Sequence, residues 1–254
     1  VIWQRHQYLN REILYLKSTV IREYDMADAG HGILMAAGAL SAAEASSAAS
    51  LGKHERNVYI GRLQLRRPEL TDVLMDGFVK ARKDFFEANG VRDEDVLYIK
   101  KDAIALISKK ARNLSFPNAE FREKARHTSY LYAGGVEFYY SGEGISVKGI
   151  SKESVRKHSG HLLAGIAEAM SRAERAGHDA LCMHLSKWRS EYVSLSLPIE
   201  NYREFNQASL FRLRLSLPGK VGLFLESASE EVKPRLDISY NYSRYLLQLF
   251  EAMI

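Results

Sequence analysis

With 254 residues, 46% hydrophobic and 26% charged, the chain has an ordinary globular composition and enough apolar material for one large core or two smaller ones. Its one cysteine, Cys182, excludes an internal disulfide and a cysteine-based zinc site, and fits a reducing, cytoplasmic setting. The net charge of +5 is modest but uneven: Lys100, Lys101, Lys109, Lys110, Arg112, Arg122, Lys124 and Arg126 crowd one stretch, and Lys53, His54, Arg56, Arg62, Arg66 and Arg67 another. Such clusters suit a polyanionic partner, with a solvated surface as the plainer alternative.

The first residues do not read as a signal peptide, and a start at Val1 rather than Met is compatible with a fragment. Residues 4–19, with Leu9, Ile13, Leu14 and Leu16 as the apolar set, are expected to be helical. Val20–Met26 reads as a strand ending near Asp25, and Ala27–Gly32 breaks it with Asp28 and Gly30 as turn residues. Ile33–Ala39 is expected to be a short helix. Ser41–Leu51 is helix or connector. The window 33–51 carries Glu44 and several serines, which argues against a membrane span.

Lys53–Arg66 is a basic amphipathic segment. Pro68 then opens the strongest helix, to Asn89, with Leu70, Val73, Leu74, Phe78, Ala81 and Phe85 on one stripe and Gly90 as the stop. Val96–Ile99 and Ala103–Ile107 are apolar runs parted by Lys100-Lys101-Asp102, the pattern of a β-hairpin. Further strands are expected at Ala119–Phe121, Ser129–Ala133, Val136–Tyr140 and Ile145–Ile150, a meander with Gly134-Gly135 at one turn. Ser151 is expected to cap a helix to Ala176, stopped by Gly177, with a second helix over His178–Tyr192. A hairpin around Pro218-Gly219, a strand at Leu236–Tyr240 and a helix over Tyr242–Met253 complete the expectation.

Antiparallel strands with segregated helices predict an α+β fold: a sheet with a strand–helix–hairpin core, then a meander and helices. The division expected is 1–110 and 111–254, with one continuous domain as the alternative. No P-loop, dinucleotide-binding Gly-x-Gly-x-x-Gly or hydrolase Gly-x-Ser-x-Gly is present, nor a nuclease Glu-x-Lys at the right spacing after an Asp.

Two acids stand at matching places, Asp25 at a strand end and Asp102 at a hairpin tip. Carboxylates on neighbouring strands can hold divalent ions about 3.5–4 Å apart for phosphoryl chemistry. Lys100 and Lys101 beside Asp102 are expected to lower its pKa.

The order from residue 20 to 107 resembles the palm of template-dependent nucleic-acid polymerases: a strand ending in Asp, a basic fingers helix, and a palm helix leading into a hairpin with a second Asp. The resemblance implies a nucleotidyltransferase using Mg²⁺ or Mn²⁺, with Asp25 and Asp102 as catalytic metal ligands. It implies Lys53, Arg56 and Arg62 as contacts to a substrate triphosphate. At the tip the chain departs from the palm pattern, carrying Lys100 and Lys101 where a second acid or a His is usual.

Three other readings stand beside it. His158 and His161, three apart, suit two metal ligands or the paired histidines of rolling-circle nickases, with Tyr240, Tyr242 and Tyr245 as nucleophile candidates. Tyr130, Tyr132, Phe138, Tyr139 and Tyr140, flanked by Arg122, Lys124 and Arg126, could stack bases or pack as strand residues. Finally, a non-catalytic nucleic-acid-binding or scaffolding protein would use Lys109, Lys110, Arg112, Arg122 and Arg126 as its basic face. Nucleic acid is the expected partner, with no membrane association.

Overall fold

The structure is a computed structural model that describes residues 1–133, 135–149 and 162–194, with Ser196 and Met253. The fold is α+β, with two antiparallel sheets among the described residues. It divides into two compact units: one from Val1–Asn10 and Val20–Arg126, the other from Arg11–Thr19 and the described residues from His127 onward. The first unit thus runs past residue 110. The reason is β7 (Ala119–His127), which lies beside β3 (Ile21–Met26) in the first sheet.

That sheet has the order β1-β4-β5-β3-β7-β6, with β1 at Gln7–Leu9, β4 at Val96–Lys100, β5 at Ala103–Ile107 and β6 at Ser115–Phe116. The hairpin falls where the apolar runs put it. Its loop is Lys101-Asp102, with Lys101 in the left-handed region at φ 52° and Lys100 opposite Ala103. Strand β3 pairs with β5 so that Tyr24 faces Ile104 and Asp25 faces Ala103. Side chains alternate across a strand, so Tyr24 and Asp25 lie on opposite faces.

The Tyr24 face is covered by helices. They are α1 (Ala29–Ala36), α2 (Ala42–Ala49), α3 (Lys53–Arg66) and α4 (Glu69–Asn89). The shared core joins Tyr24, Ile99, Ile104, Leu106 and Phe121 of the sheet to Leu34, Ile60, Leu74, Phe78 and Phe85 of the helices. Phe85, fully buried, stands at its centre, with ring centroids 4.5 Å from Phe121 and 5.5 Å from Tyr24. The Tyr24 hydroxyl accepts from the Ala111 N–H at 2.9 Å, which gives this deeply placed phenol a partner.

Helix α2 forms, rather than a connector, because Ser41 and Glu44 make a reciprocal capping box. Helix α4 ends where predicted, Gly90 taking φ 57°. Gly77 on α4 meets α1 so closely that an added Cβ would sit 2.0 Å from Ile33 Cγ2. Gly77→Ala is therefore expected to cost about 1–3 kcal/mol by overpacking, measurable by urea unfolding. A cost below a few tenths would mean that α1 and α4 do not pack this tightly.

The expected helix over 4–19 is not formed. The segment holds a 3₁₀ turn at Ile2–Gln4, β1, and β2 (Tyr15–Leu16). Strand β1 pairs with β4 as a sheet edge, and β2 pairs with β8 (Ser129–Ala133) in the other unit's sheet. Available strand edges override the local apolar spacing here.

In that second sheet the order is β10-β9-β8-β2, with β9 at Val136–Ser141 and β10 at Gly144–Lys148. It is the expected meander. Helix α5 (Leu162–Val193) breaks at Gly177 (φ 82°), as expected. Its two arms pack together: a Cβ on Gly165 would lie 2.5 Å from the Trp188 ring. Ser151, His158, His161, Gly134, Ile150, the expected hairpin around Pro218-Gly219, the expected strand at Leu236–Tyr240 and the expected helix from Tyr242 up to Met253 lie outside the described residues.

Candidate functional site

Strand β3 carries Asp25 to the end of the sheet, and the β4–β5 turn carries Asp102 to the same end. The Met26 N–H donates to the Asp102 carbonyl at 3.0 Å, which ties the two strand ends together. Both acids line one cavity of about 270 Å³. Its wall also includes Asp28, Gly30, Lys53, Asn57, Gln64 and Lys101.

The charges are close enough to interact. The Asp102 carboxyl titrates above the ordinary aspartate value, first because it is buried and then because Asp25 is near. A hydrogen bond from its own backbone N–H, Lys124 and Lys101 act in the opposite direction and do not cancel these effects. The expectation of a lowered pKa is thus corrected: burial outweighs the neighbouring lysines. Lys124 Nζ lies 3.4 Å from Asp25 Oδ2 and is the site's counter-charge.

Of the three basic residues expected on α3, the structure brings Lys53 to the cavity. Arg56 is engaged beside it, pairing with Asp28 Oδ2 at 3.1 Å and donating to the Leu51 carbonyl at 3.0 Å. Arg62 is exposed, falls on the opposite side of α3 from Lys53 and does not line the cavity. Asn57 and Gln64, not singled out in the sequence, share the Lys53 face; their spacing on a helix is the signal that could have found them. Lys124 reads in the sequence only as part of a basic cluster, because only the β3–β7 neighbourhood puts it beside Asp25.

The other basic residues are dispersed over two places. Lys109 is held by Asp95 at 3.0 Å and by the Gly90 carbonyl. Lys110 and Arg112 are exposed, and the Arg112 main-chain N–H donates to Asn89 Oδ1 at 2.7 Å. Arg122 and Arg126 are exposed on β7, where Glu120, Arg122, Lys124 and Arg126 alternate outward around buried Phe121. The meander aromatics Tyr130, Phe138 and Tyr139 are buried, so they pack rather than offer faces for stacking.

Two carboxylates facing one cavity are hard oxygen donors, the type that suits Mg²⁺ or Mn²⁺. Among the described residues no group of three or more His, Cys, Asp or Glu could hold a metal by itself. Mg²⁺ is commonly bound by one or two carboxylates with substrate phosphates and water completing its shell. The Asp25/Asp102 pair fits that mode of binding and does not fit a structural metal held by the protein alone.

Compared with known protein families, all of residues 1–254 match one family, described as Bacteriophage PBS1 gene 130 protein. The chain belongs to that family. The match to the PBS1 gene 130 family runs through both units, whereas the palm resemblance concerned residues 20–107 and is not what the match rests on. No curated protein matches the chain. Among the described residues no helix is long and apolar enough to cross a membrane.

Proposed function

We propose that this member of the PBS1 gene 130 family is a nucleotidyltransferase acting on nucleic acid in the cytoplasm of the cell that makes it. The observation that supports the reading is the convergence of Asp25 and Asp102 on one cavity beside Lys53. These acids come from segments far apart in sequence, as the palm resemblance requires. Their mutual repulsion in a half-buried setting is the kind that a divalent cation relieves.

In this reading Asp25 and Asp102 hold Mg²⁺ or Mn²⁺, which would supply Lewis-acid stabilisation to a phosphoryl group undergoing displacement. Lys53, Asn57 and Gln64 line the wall from which a triphosphate would be contacted, the lysine neutralising charge and the amides donating hydrogen bonds. Arg56 holds Asp28 in place and so shapes the turn after β3. Buried walls from Leu74 and Phe78 limit water around the acids.

The deciding experiment is Mn²⁺ titration followed by electron paramagnetic resonance, together with nucleotide incorporation on a primed template, for wild type and Asp25→Asn. Uptake of Mn²⁺ that Asp25→Asn abolishes, with incorporation lost in parallel, is the expected result. No uptake and no incorporation would sink the reading. Lys124→Met, which keeps the aliphatic stem, is expected to tighten Mn²⁺ binding by up to about fivefold. The ammonium and the metal would compete for Asp25, and an exposed ion pair contributes roughly 0–1 kcal/mol. Weaker binding in that variant would mean that Lys124 supports the metal instead of opposing it.

A further inference from the structure

Arg82 is fully buried within α4, among Phe78, Phe85 and Phe86 of the same apolar side. A guanidinium there is costly unless its donors are used. Two are: Nε donates to the Trp3 carbonyl at 2.8 Å and Nη1 to the Lys101 carbonyl at 2.6 Å. Burial alone lowers its pKa, to about 10, so the side chain stays charged at neutral pH. The position is one where Leu or Met would satisfy the stripe; what Arg adds is a rigid fork reaching two main-chain oxygens at once.

One of those oxygens belongs to the residue before Asp102. The turn is gripped from three sides. The Lys101 N–H donates to the His6 carbonyl at 2.8 Å, its carbonyl accepts from Arg82, and the Asp102 carbonyl accepts from the Met26 N–H at 3.0 Å. Lys101 takes φ 52°, a conformation non-glycine residues leave readily unless the surroundings hold them. The residue before β1, the middle of α4 and the end of β3 together form the frame on which the Asp102 side chain stands.

We propose that Arg82 is the positioning residue for Asp102: its guanidinium, bonded to the Trp3 and Lys101 carbonyls, sets the hairpin tip so that Asp102 shares the cavity with Asp25. The proposal rests on the metal-site reading above for its function and on the tip geometry for its structure. Lysine at this position keeps charge and length but cannot span both carbonyls in a fixed fork. Methionine keeps the apolar stem and loses both bonds.

The test uses the full chain with Arg82→Lys and Arg82→Met, comparing melting temperature, Mn²⁺ affinity by electron paramagnetic resonance, and amide hydrogen exchange of a peptide spanning 97–107. Removing a residue that orients a metal ligand typically weakens the metal by about 10–100-fold. That loss is expected for Arg82→Met, together with faster exchange confined to the 97–107 peptide. Arg82→Lys is expected to recover most of the melting temperature and little of the Mn²⁺ affinity. Folded variants that bind Mn²⁺ like wild type, with unchanged exchange, would overturn the proposal and leave the metal site standing. Should the wild type itself bind no Mn²⁺, the metal reading fails separately. Exchange then decides Arg82: faster exchange confined to the tip keeps its hold on the turn, and unchanged exchange removes it.

Discussion

Asp102→Asn is expected to reduce metal-dependent nucleotide incorporation by about a thousandfold while making the protein more stable at neutral pH. The first effect follows from the energetics of the proposed site. Charge stabilisation by a bound cation is worth several kcal/mol, and about 1.4 kcal/mol is a factor of ten in rate. Asn keeps the size of Asp and offers a neutral oxygen, so lost activity would reflect lost charge rather than altered packing. Residual incorporation within a factor of a few of wild type would remove Asp102 from the mechanism.

The second effect comes from linkage. Asp102 titrates above its unfolded value because folding buries it near Asp25. Its contribution to stability is then fully present below the unfolded aspartate pKa and is lost as pH rises through the higher folded value. Wild type should therefore lose stability relative to Asp102→Asn as pH climbs from the acid side through that window. The gap should persist at neutral pH and close again in acid. Thermal unfolding of both proteins across this range measures it. Parallel curves at all pH values would mean that the carboxyl is not held in the surroundings described. Asp25→Asn should bring the Asp102 pKa down without normalising it, since burial, the larger cause, remains.

Phe85→Ala is expected to produce the largest loss of stability, about 3–5 kcal/mol, from lost transfer energy and the cavity left behind. Phe85 is fully buried and meets Tyr24, Phe86, Phe116 and Phe121 with centroids at 5.5, 6.5, 6.4 and 4.5 Å. For a chain of this length each kcal/mol corresponds to roughly 2–4 °C in melting temperature. Phe85→Leu should fall between Ala and wild type, because it keeps most of the volume and loses the ring contacts. The consequence reaches the site through Tyr24, whose backbone leads directly into Asp25. A loss under about 1 kcal/mol would contradict the central place of this ring.

Much of the first unit was legible in the chain itself, and the reason is local. Lys53–Arg66 and the α4 stripe follow a helical period over several turns, and Gly90 stops α4 because it alone adopts a left-handed φ without strain. The hairpin follows from two apolar runs parted by a short polar tip. The α+β class follows from the order of these elements. The acids Asp25 and Asp102 were also readable as a pair, since one stands near a strand end and the other at a hairpin tip that local composition identifies.

What the tertiary structure decided is everything that depends on pairing between distant segments. Residues 7–9 and 15–16 became strands because sheet edges were available to them, at lengths too short for any local period to register. Strand β7 extends to His127 because alternation places Arg122, Lys124 and Arg126 outward, although the same residues read in the sequence as a basic cluster. That pairing makes Lys124 the partner of Asp25. The rotation of α3 leaves Lys53 on the cavity, commits Arg56 to Asp28 and turns Arg62 away. Burial raises the Asp102 pKa where flanking lysines alone would lower it. Arg82 shows the limit most clearly: in the sequence it interrupts an apolar stripe, and only the fold supplies the two carbonyls that explain why a charge is kept there.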